Sequence, residues 1–141
     1  MTDEGTPYPL EVIIQATPKS LQAKHLAAWK ERVAQAGLAR RQETCELPFL
    51  DERKLAATIF YFPSDPMVGD VDNIVKPILD SLKGVAYLDD QVIERVTVQK
   101  FEPDGGWEFL NPSDRLTAAL DMEPPVVYIR IGDDLSWRRV R

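Results

Sequence analysis

The sequence predicts a compact α/β domain in which a mixed β-sheet packs against two main helices. Three observations lead to this prediction. There are four short runs rich in β-branched or aromatic residues, there are two longer segments with apolar residues at helical spacing, and the two kinds alternate along most of the chain. The resulting order is β–α–β–α–β–β. A chain of 141 residues is long enough to form one domain with its own hydrophobic core.

The first half of the chain contains two predicted strands and one predicted helix. Residues 10–16, LEVIIQA, form a short β-branched run that is typical of a strand. Apolar residues at helical spacing predict a helix over residues 21–36, with Ser20 as its N-cap and Gly37 at its end. Residues 55–62, LAATIFYF, are apolar on both faces, which predicts a central strand.

The second half contains the other main helix and two further strands. The helix should begin near Asp72 or Asn73 and end at Gly84. The alternating run VIERVTVQKFE predicts a third strand, and residues 125–132 predict a fourth. The segment 103–124 between them is interpreted as an insertion or loop with room for one short helix.

The composition excludes several classes of protein. The single cysteine, Cys45, and the single histidine, His25, exclude an internal disulfide and any zinc cluster built from Cys and His within one chain. His25 lies in a segment rich in Lys and Ala and is interpreted as a surface residue. The N-terminus is acidic and prolyl rather than a signal peptide, and no run is apolar enough to cross a bilayer. We therefore expect a cytoplasmic protein without a membrane partner.

The charge is negative overall but unevenly distributed. A formal net charge of −6 argues against a protein that simply coats nucleic acid, because neutralising phosphates requires Lys and Arg. Six basic residues and only one acid nevertheless lie between Lys19 and Arg41, and the chain ends in SWRRVR. The charge is therefore a point against nucleic-acid binding without refuting it.

The stretch GDVDNIVKPILDSLKGVAYLDDQV, residues 69–92, concentrates the side chains best suited to chemistry. If the chain is extended at Asp70-Val-Asp72, both carboxylates share a face and repel each other unless a cation neutralises them. A hard divalent ion such as Mg²⁺ is the natural partner of such oxygen ligands. A D-x-D pair is also common on solvated surfaces, so the pair by itself leaves both interpretations open.

The residues that follow sharpen the metal hypothesis. Lys76 and Asp80 follow Asp72 at intervals of one helical turn, which places all three on one face. Two interpretations remain open. The three residues form a surface ladder of ion pairs, or Lys76 leans over the acidic pair towards an anionic substrate while Asp80 has a structural role. Adjacent residues of an extended segment face opposite sides, so only one of Asp89 and Asp90 should reach the site.

The same stretch resembles the signature of the RusA family of Holliday junction resolvases. That signature reads D-x-D-N-x-x-K, then D-x-L, then a D-D doublet followed by Q-V, and it matches residues 70–92. The resemblance implies one RusA-like domain over residues 1–141. It also implies a homodimeric endonuclease that depends on Mg²⁺, or on Mn²⁺ in its place, and that cuts four-way DNA junctions by paired nicks in recombination and repair.

The resemblance also implies roles for individual residues. The metal-binding carboxylates of the family fall on Asp70, Asp72 and Asp90, and its essential lysine falls on Lys76. Two further motif positions are interpreted as supporting residues, the first as a helix cap and the second as an additional acid: Asn73 and Asp89.

Contacts to the DNA backbone are expected from the basic first helix and from the RRVR tail. The candidates around the helix are Lys19, Lys24, Lys30 and Arg32. Three alternatives remain open. The protein could be a Mg²⁺-dependent nuclease on forks or flaps, a RusA-like domain that binds a partner protein without catalysis, or a small α/β protein with a solvated acidic edge.

Overall fold

Four strands and three helices alternate along the chain in the computed structural model, which describes residues 8–20, 23–44 and 50–136. The strands are β1 (Leu10–Ile14), β2 (Leu55–Phe62), β3 (Ile93–Lys100) and β4 (Val126–Gly132). The helices are α1 (Leu26–Thr44), α2 (Val75–Leu82) and α3 (Asp114–Leu120). Short 3-10 turns, Val71–Ile74 and Asp90–Val92, precede α2 and β3. The predicted α/β class is confirmed, and the segment between β3 and β4 contains the short helix α3.

The four strands form one mixed sheet in the order β1-β4-β2-β3. Strand β2 pairs in parallel with β3, whereas β4 runs antiparallel to both β1 and β2. The predicted central position of β2 is therefore confirmed. Strands β1, β2 and β3 all run in one direction, so they end at the same edge of the sheet. We call this the carboxyl edge and the opposite one, where these strands begin, the amino edge.

Helices α1 and α2 cover one face of the sheet and bury the main core. Every second residue of the strands points into this core, as the two-residue side-chain period of a strand requires. From the helices, Trp29, Val33, Ile78 and Leu82 pack against these strand residues. The strand residues that contribute most are Leu10, Val12, Ile14, Leu55, Ala57, Ile59, Val127, Ile129 and Ile131.

The segment between β3 and β4 covers the other face of the sheet near the carboxyl edge. Its helix α3 buries Leu116 against an apolar cluster that includes Phe62 and Phe101. Trp107, in the loop before α3, packs edge-on against Phe101 with ring centroids 5.3 Å apart. Segment 103–124 is therefore packed onto the sheet through aromatic contacts.

Helix α1 differs from its predicted bounds at both ends. It begins at Leu26 rather than near Ser20, and it continues to Thr44, so Gly37 lies in its interior. Packing against α2 explains the glycine, because a Cβ at Gly37 would lie only 2.6 Å from Leu82 Cδ2. The close approach of the two helices offsets the cost of a glycine inside a helix, which is about 1 kcal/mol.

Some expectations fall on residues that the structure does not describe. These are the N-terminal residues 1–7, Cys45 and the basic tail within residues 137–141. None of the helices in the described part of the chain combines the length and the apolar character that a bilayer-spanning segment needs.

Candidate active site

Asp70 and Asp72 lie where the loop after β2 passes into the first 3-10 turn. Asp70 has an extended backbone, with φ −94° and ψ 141°, but its side chain makes no capping hydrogen bond. The Asn73 N–H donates to the Asp70 carbonyl at 3.1 Å and closes the turn, so the condition of an extended Asp70-Val-Asp72, from which a shared face would follow, is not met from Val71 onward. Asn73, the expected helix cap, lies inside this turn. Asp70 occupies the N-cap position of the turn, and Ile74 occupies the N-cap position of α2.

Lys76, Asp80 and Asp90 line a single open hollow of about 290 Å³ between α2 and β3. The Lys76 ammonium lies 3.2 Å from Asp80 Oδ1, so the expected pair one helical turn apart is formed. The remaining walls are mainly apolar and come from Val75, Leu79, Tyr87, Ile93 and Val96. One lysine and two carboxylates thus stand over an apolar floor.

The two acids of the doublet have different surroundings. Asp89 Oδ1 accepts a hydrogen bond from the Asp90 N–H at 2.7 Å and thereby caps the second 3-10 turn. The ammonium nitrogen of Lys83, just after α2, lies 3.6 Å from Asp89 Oδ1 and 4.0 Å from Asp90 Oδ2. Of the two acids, only Asp90 lines the hollow, which contains neither Asp70 nor Asp72, so the expectation that one acid of the doublet reaches the metal site stays a prediction.

Tyr87 also lines the hollow and was not identified from the sequence. It is 1% exposed, and its hydroxyl donates to the Leu79 carbonyl. Burial raises the Tyr87 pKa above its ordinary value, and the nearby charges of Asp90, Asp80 and Asp89 raise it further. The phenol therefore stays protonated and serves as a hydrogen-bond donor. Because Tyr87 stands among apolar residues just before the doublet, its sequence context indicated only a core residue.

The carboxylates predicted to bind metal lie in two places within one copy of the chain. The Met67 N–H donates to Glu102 Oε2 at 2.8 Å, so the loop that leads to Asp70 lies at the carboxyl edge, where β3 ends. Asp90 directly precedes β3 and lies towards the amino edge. Helix α2 also separates them, since Asp72 precedes it and Asp90 follows it, and eight residues of helix span roughly 12 Å.

A complete set of metal ligands is not assembled in one copy. Among residues 8–20, 23–44 and 50–136, no three side chains of Asp, Glu, His or Cys are grouped so that they could hold a metal ion. The assignment of Asp70, Asp72 and Asp90 as ligands stays a prediction. Asp70 and Asp72 are nevertheless exposed, and no described residue forms a hydrogen bond or ion pair with either side chain. As available hard oxygen donors, they fit a divalent cation in chemical type.

The candidate DNA contacts divide into two pairs. Lys19 and Arg32 line a hollow at the start of α1, on the same side of the sheet as α2. Lys24 and Lys30 do not line this hollow, and Lys24 is exposed. Arg32 is held in place because its Nη2 donates to the Gln15 carbonyl at 3.1 Å.

Comparison with known proteins identifies one family. The model of the family described as "Endodeoxyribonuclease RusA" matches residues 11–106, which run from β1 to just beyond β3 and include the whole stretch 69–92. None of the curated proteins compared with the chain matches it. Most of segment 103–124 and the whole of β4 lie beyond the matched region, and the interpretation of the segment as an insertion stays a prediction. The match covers more than half of the chain, and the protein therefore belongs to the RusA family of endodeoxyribonucleases.

Proposed function

We propose that this protein is a Mg²⁺-dependent endodeoxyribonuclease that resolves Holliday junctions by paired phosphodiester hydrolysis, in DNA recombination and repair. The observation that carries the proposal is the family match over residues 11–106, because it includes every predicted catalytic residue. Membership of the family supports hydrolysis of DNA. The four-way junction as substrate and the role in recombination are the finer parts of the proposal.

Metal dependence follows the general behaviour of RusA nucleases, which use a divalent metal. We propose Asp70, Asp72 and Asp90 as the residues that hold Mg²⁺, with Mn²⁺ able to replace it. When bound, such an ion polarises a non-bridging phosphate oxygen and lowers the pKa of a bound water. The carboxylates of Asp70 and Asp72 are exposed and have no partner in the part of the chain that the structure describes, which supports this assignment.

Lys76 is proposed to stabilise the negative charge that develops on the phosphate during hydrolysis. Its side chain is 64% exposed, and Asp80 holds its ammonium at 3.2 Å beside the hollow. Asp80 is therefore proposed as a positioning residue for Lys76. Asp89 is proposed to support the site indirectly, because its carboxylate caps the turn that carries Asp90.

A homodimer is proposed because the arrangement of a single copy leaves the site incomplete. Strand β3 is an edge strand, so a second copy can pair with it. Antiparallel pairing of β3 with its counterpart about a two-fold axis would bring the start of β3 in one copy close to the end of β3 in the other. Asp90 of each copy would then approach the carboxyl edge of its partner, where Asp70 lies. The two-fold axis would also present two sites to the two strands of a symmetric junction.

The proposal is tested with labelled four-way junctions, replication forks, flaps and linear duplex, each incubated with Mg²⁺ or with EDTA. Paired nicks on the junction in Mg²⁺ alone are the expected result. Cleavage of forks or flaps instead would favour a nuclease for other branched DNA. Binding of a partner protein without cleavage of any substrate would indicate a non-catalytic RusA-like domain.

Substitutions separate catalysis from folding in the same assay. Asp70→Asn and Asp90→Asn each remove one charge at nearly constant volume, and both side chains are exposed. Both variants are expected to lose cleavage while retaining the wild-type unfolding transition. Glu108→Gln, an exposed acid in the loop before α3, is the matched control and should cleave normally. Cleavage by both aspartate variants would show that the ligand assignment is wrong.

A further inference from the structure

The start of α1 carries a hollow of about 300 Å³ that the proposed catalytic residues do not use. Three basic side chains, Lys19, His25 and Arg32, contribute to its walls. No acidic side chain among the described residues lines it. The other lining residues are small or apolar apart from Thr17: Ala16, Thr17, Ala28 and Trp29. This composition favours an anionic ligand.

The basic side chains are available to a ligand. Lys19, in the loop after β1, forms no hydrogen bond or ion pair with any described residue, and neither does the His25 side chain. Arg32 uses one nitrogen to bind the Gln15 carbonyl, which anchors the guanidinium and leaves other donors for a ligand. The loop after β1 and the start of α1 thus carry the three basic side chains of the hollow.

Trp29 provides an independent indication of a missing partner. The residue is 4% exposed and lines the hollow, and its buried indole Nε1–H has no hydrogen-bond partner among the described residues. A buried donor without an acceptor is unfavourable and uncommon in folded proteins. The indole ring borders the hollow, so an oxyanion bound there is the candidate acceptor. The start of α1 adds to the attraction, because this helix of 19 residues has no acid in its first turn and its free N–H groups favour a negative charge.

The hollow lies on the same edge of the sheet as Asp70 and Asp72, two of the three predicted metal ligands. Strand β1 ends at Ile14 on the carboxyl edge, and the loop that follows it supplies Thr17 and Lys19. Thr17 also borders the loop after β2, since it lines a neighbouring cavity together with residues 63–68. That loop continues directly to Asp70. The carboxyl edge therefore carries a basic hollow and an acidic pair at the ends of adjoining loops.

We infer that the hollow at the start of α1 binds a backbone phosphate of the DNA strand that this protein cuts, and so fixes that strand along the carboxyl edge. The inference rests on the proposed function, because it assigns the ligand to the DNA substrate rather than to a free phosphate ion. One phosphate occupies the hollow, and Lys19 and Arg32 neutralise it together.

The first test measures binding to a four-way junction in EDTA, so that no cleavage occurs, over a series of salt concentrations. The double variant Lys19→Gln/Arg32→Gln is expected to bind on the order of tenfold more weakly. Its slope of log K against log salt should be smaller by about 0.9, the value for one phosphate, rather than by twice that amount. Lys54→Gln is the control, since this exposed lysine lies next to the start of β2 at the amino edge. It should leave the slope unchanged.

The second test follows the Trp29 indole N–H by NMR while inorganic phosphate replaces chloride at constant ionic strength. A shift of this resonance in the wild type, absent in the double variant, is expected. If the resonance shifts but the double variant binds the junction like the wild type, the hollow is a free-phosphate site and the inference is overturned. The absence of both effects overturns it as well. Failure of the proposed function has a different result, because the wild type would then neither bind nor cut any of the DNA substrates.

Discussion

The substitution Gly37→Ala tests how closely α1 must approach α2, the helix that carries Lys76. An ideal Cβ at position 37 lies 2.6 Å from Leu82 Cδ2 and 3.3 Å from Val85 Cγ1. Leu82 is 0% exposed and is enclosed by the core, so it has no solvent into which to move. The added methyl group must therefore displace either Leu82 or the whole of α2.

The expected magnitude is the difference between two opposing effects. Replacing glycine by alanine in an exposed helix interior stabilises the folded state by about 1 kcal/mol. Overpacking a dense core by one methyl group costs about 1–3 kcal/mol. We therefore expect Gly37→Ala to lower the free energy of unfolding by about 1 kcal/mol, against a gain of the same size if the site were open.

A double-mutant cycle with Leu82→Ala isolates the contact. Leu82→Ala alone should cost about 2–5 kcal/mol, because it leaves a cavity in the core. In the double variant, the new methyl group at position 37 occupies part of this cavity and the helix keeps its more favourable residue. Urea unfolding of the four proteins should then give a favourable coupling of about 1–3 kcal/mol.

Additive effects, within about 0.5 kcal/mol, would refute the proposed contact between positions 37 and 82. A simple stabilisation of Gly37→Ala by about 1 kcal/mol would refute it as well, because the position would then behave as an exposed helical site. Cleavage by the single variant should fall with the displacement of α2 and should recover in the double variant.

Three further predictions concern the site and the outer face of the sheet. Lys76→Gln should slow single-turnover cleavage by about 10²–10³-fold while junction binding in EDTA changes little, because the ammonium acts mainly in the transition state. Ser113→Ala should lower the free energy of unfolding by about 2 kcal/mol in urea titrations, since the hydroxyl accepts from the Leu116 N–H and donates to Glu11. Ser113→Thr keeps a hydroxyl and should retain most of the wild-type free energy of unfolding. Burial raises the Tyr128 pKa from 10.0 to about 12, so the contribution of this group to stability should be constant below pH 10 and be lost progressively between pH 10 and 12. Tyr128→Phe should weaken the decline in the free energy of unfolding over that range.

The elements that the sequence predicts well are those fixed by local patterns. The bounds of β2 agree with the structure because an apolar run of eight residues has no competing helical period. The pairing of Lys76 with Asp80 follows directly from helical geometry once α2 exists.

The features that the sequence does not predict depend on contacts between distant segments. Gly37 is a common signal for a helix end, and only its contact with Leu82 explains why α1 continues past it. The buried indole N–H of Trp29 has no hydrogen-bond partner among the described residues, and no sequence pattern indicates this.

The chain topology itself explains why the predicted metal ligands lie apart. Strands β2 and β3 are parallel, so the connection through α2 returns the chain to the edge where β2 began. A residue just after β2 and a residue just before β3 must therefore lie towards opposite edges, and Asp70 and Asp90 are such residues. Sequence proximity and shared motif membership conceal this separation. The proposed second copy, paired antiparallel along β3, would bring the two edges together.

This arrangement predicts that two inactive variants complement each other. Co-expression of Asp72→Asn and Asp90→Asn chains with different tags yields a heterodimer that can be purified. If each site combines Asp72 of one chain with Asp90 of the other, one site of the heterodimer carries both substitutions and the other carries neither. We expect about half of the wild-type nicking rate, with single nicks in place of paired cuts, from this one intact site. Both homodimeric variants should remain inactive. If each site is instead built within one chain, both sites of the heterodimer carry a substitution and no activity returns.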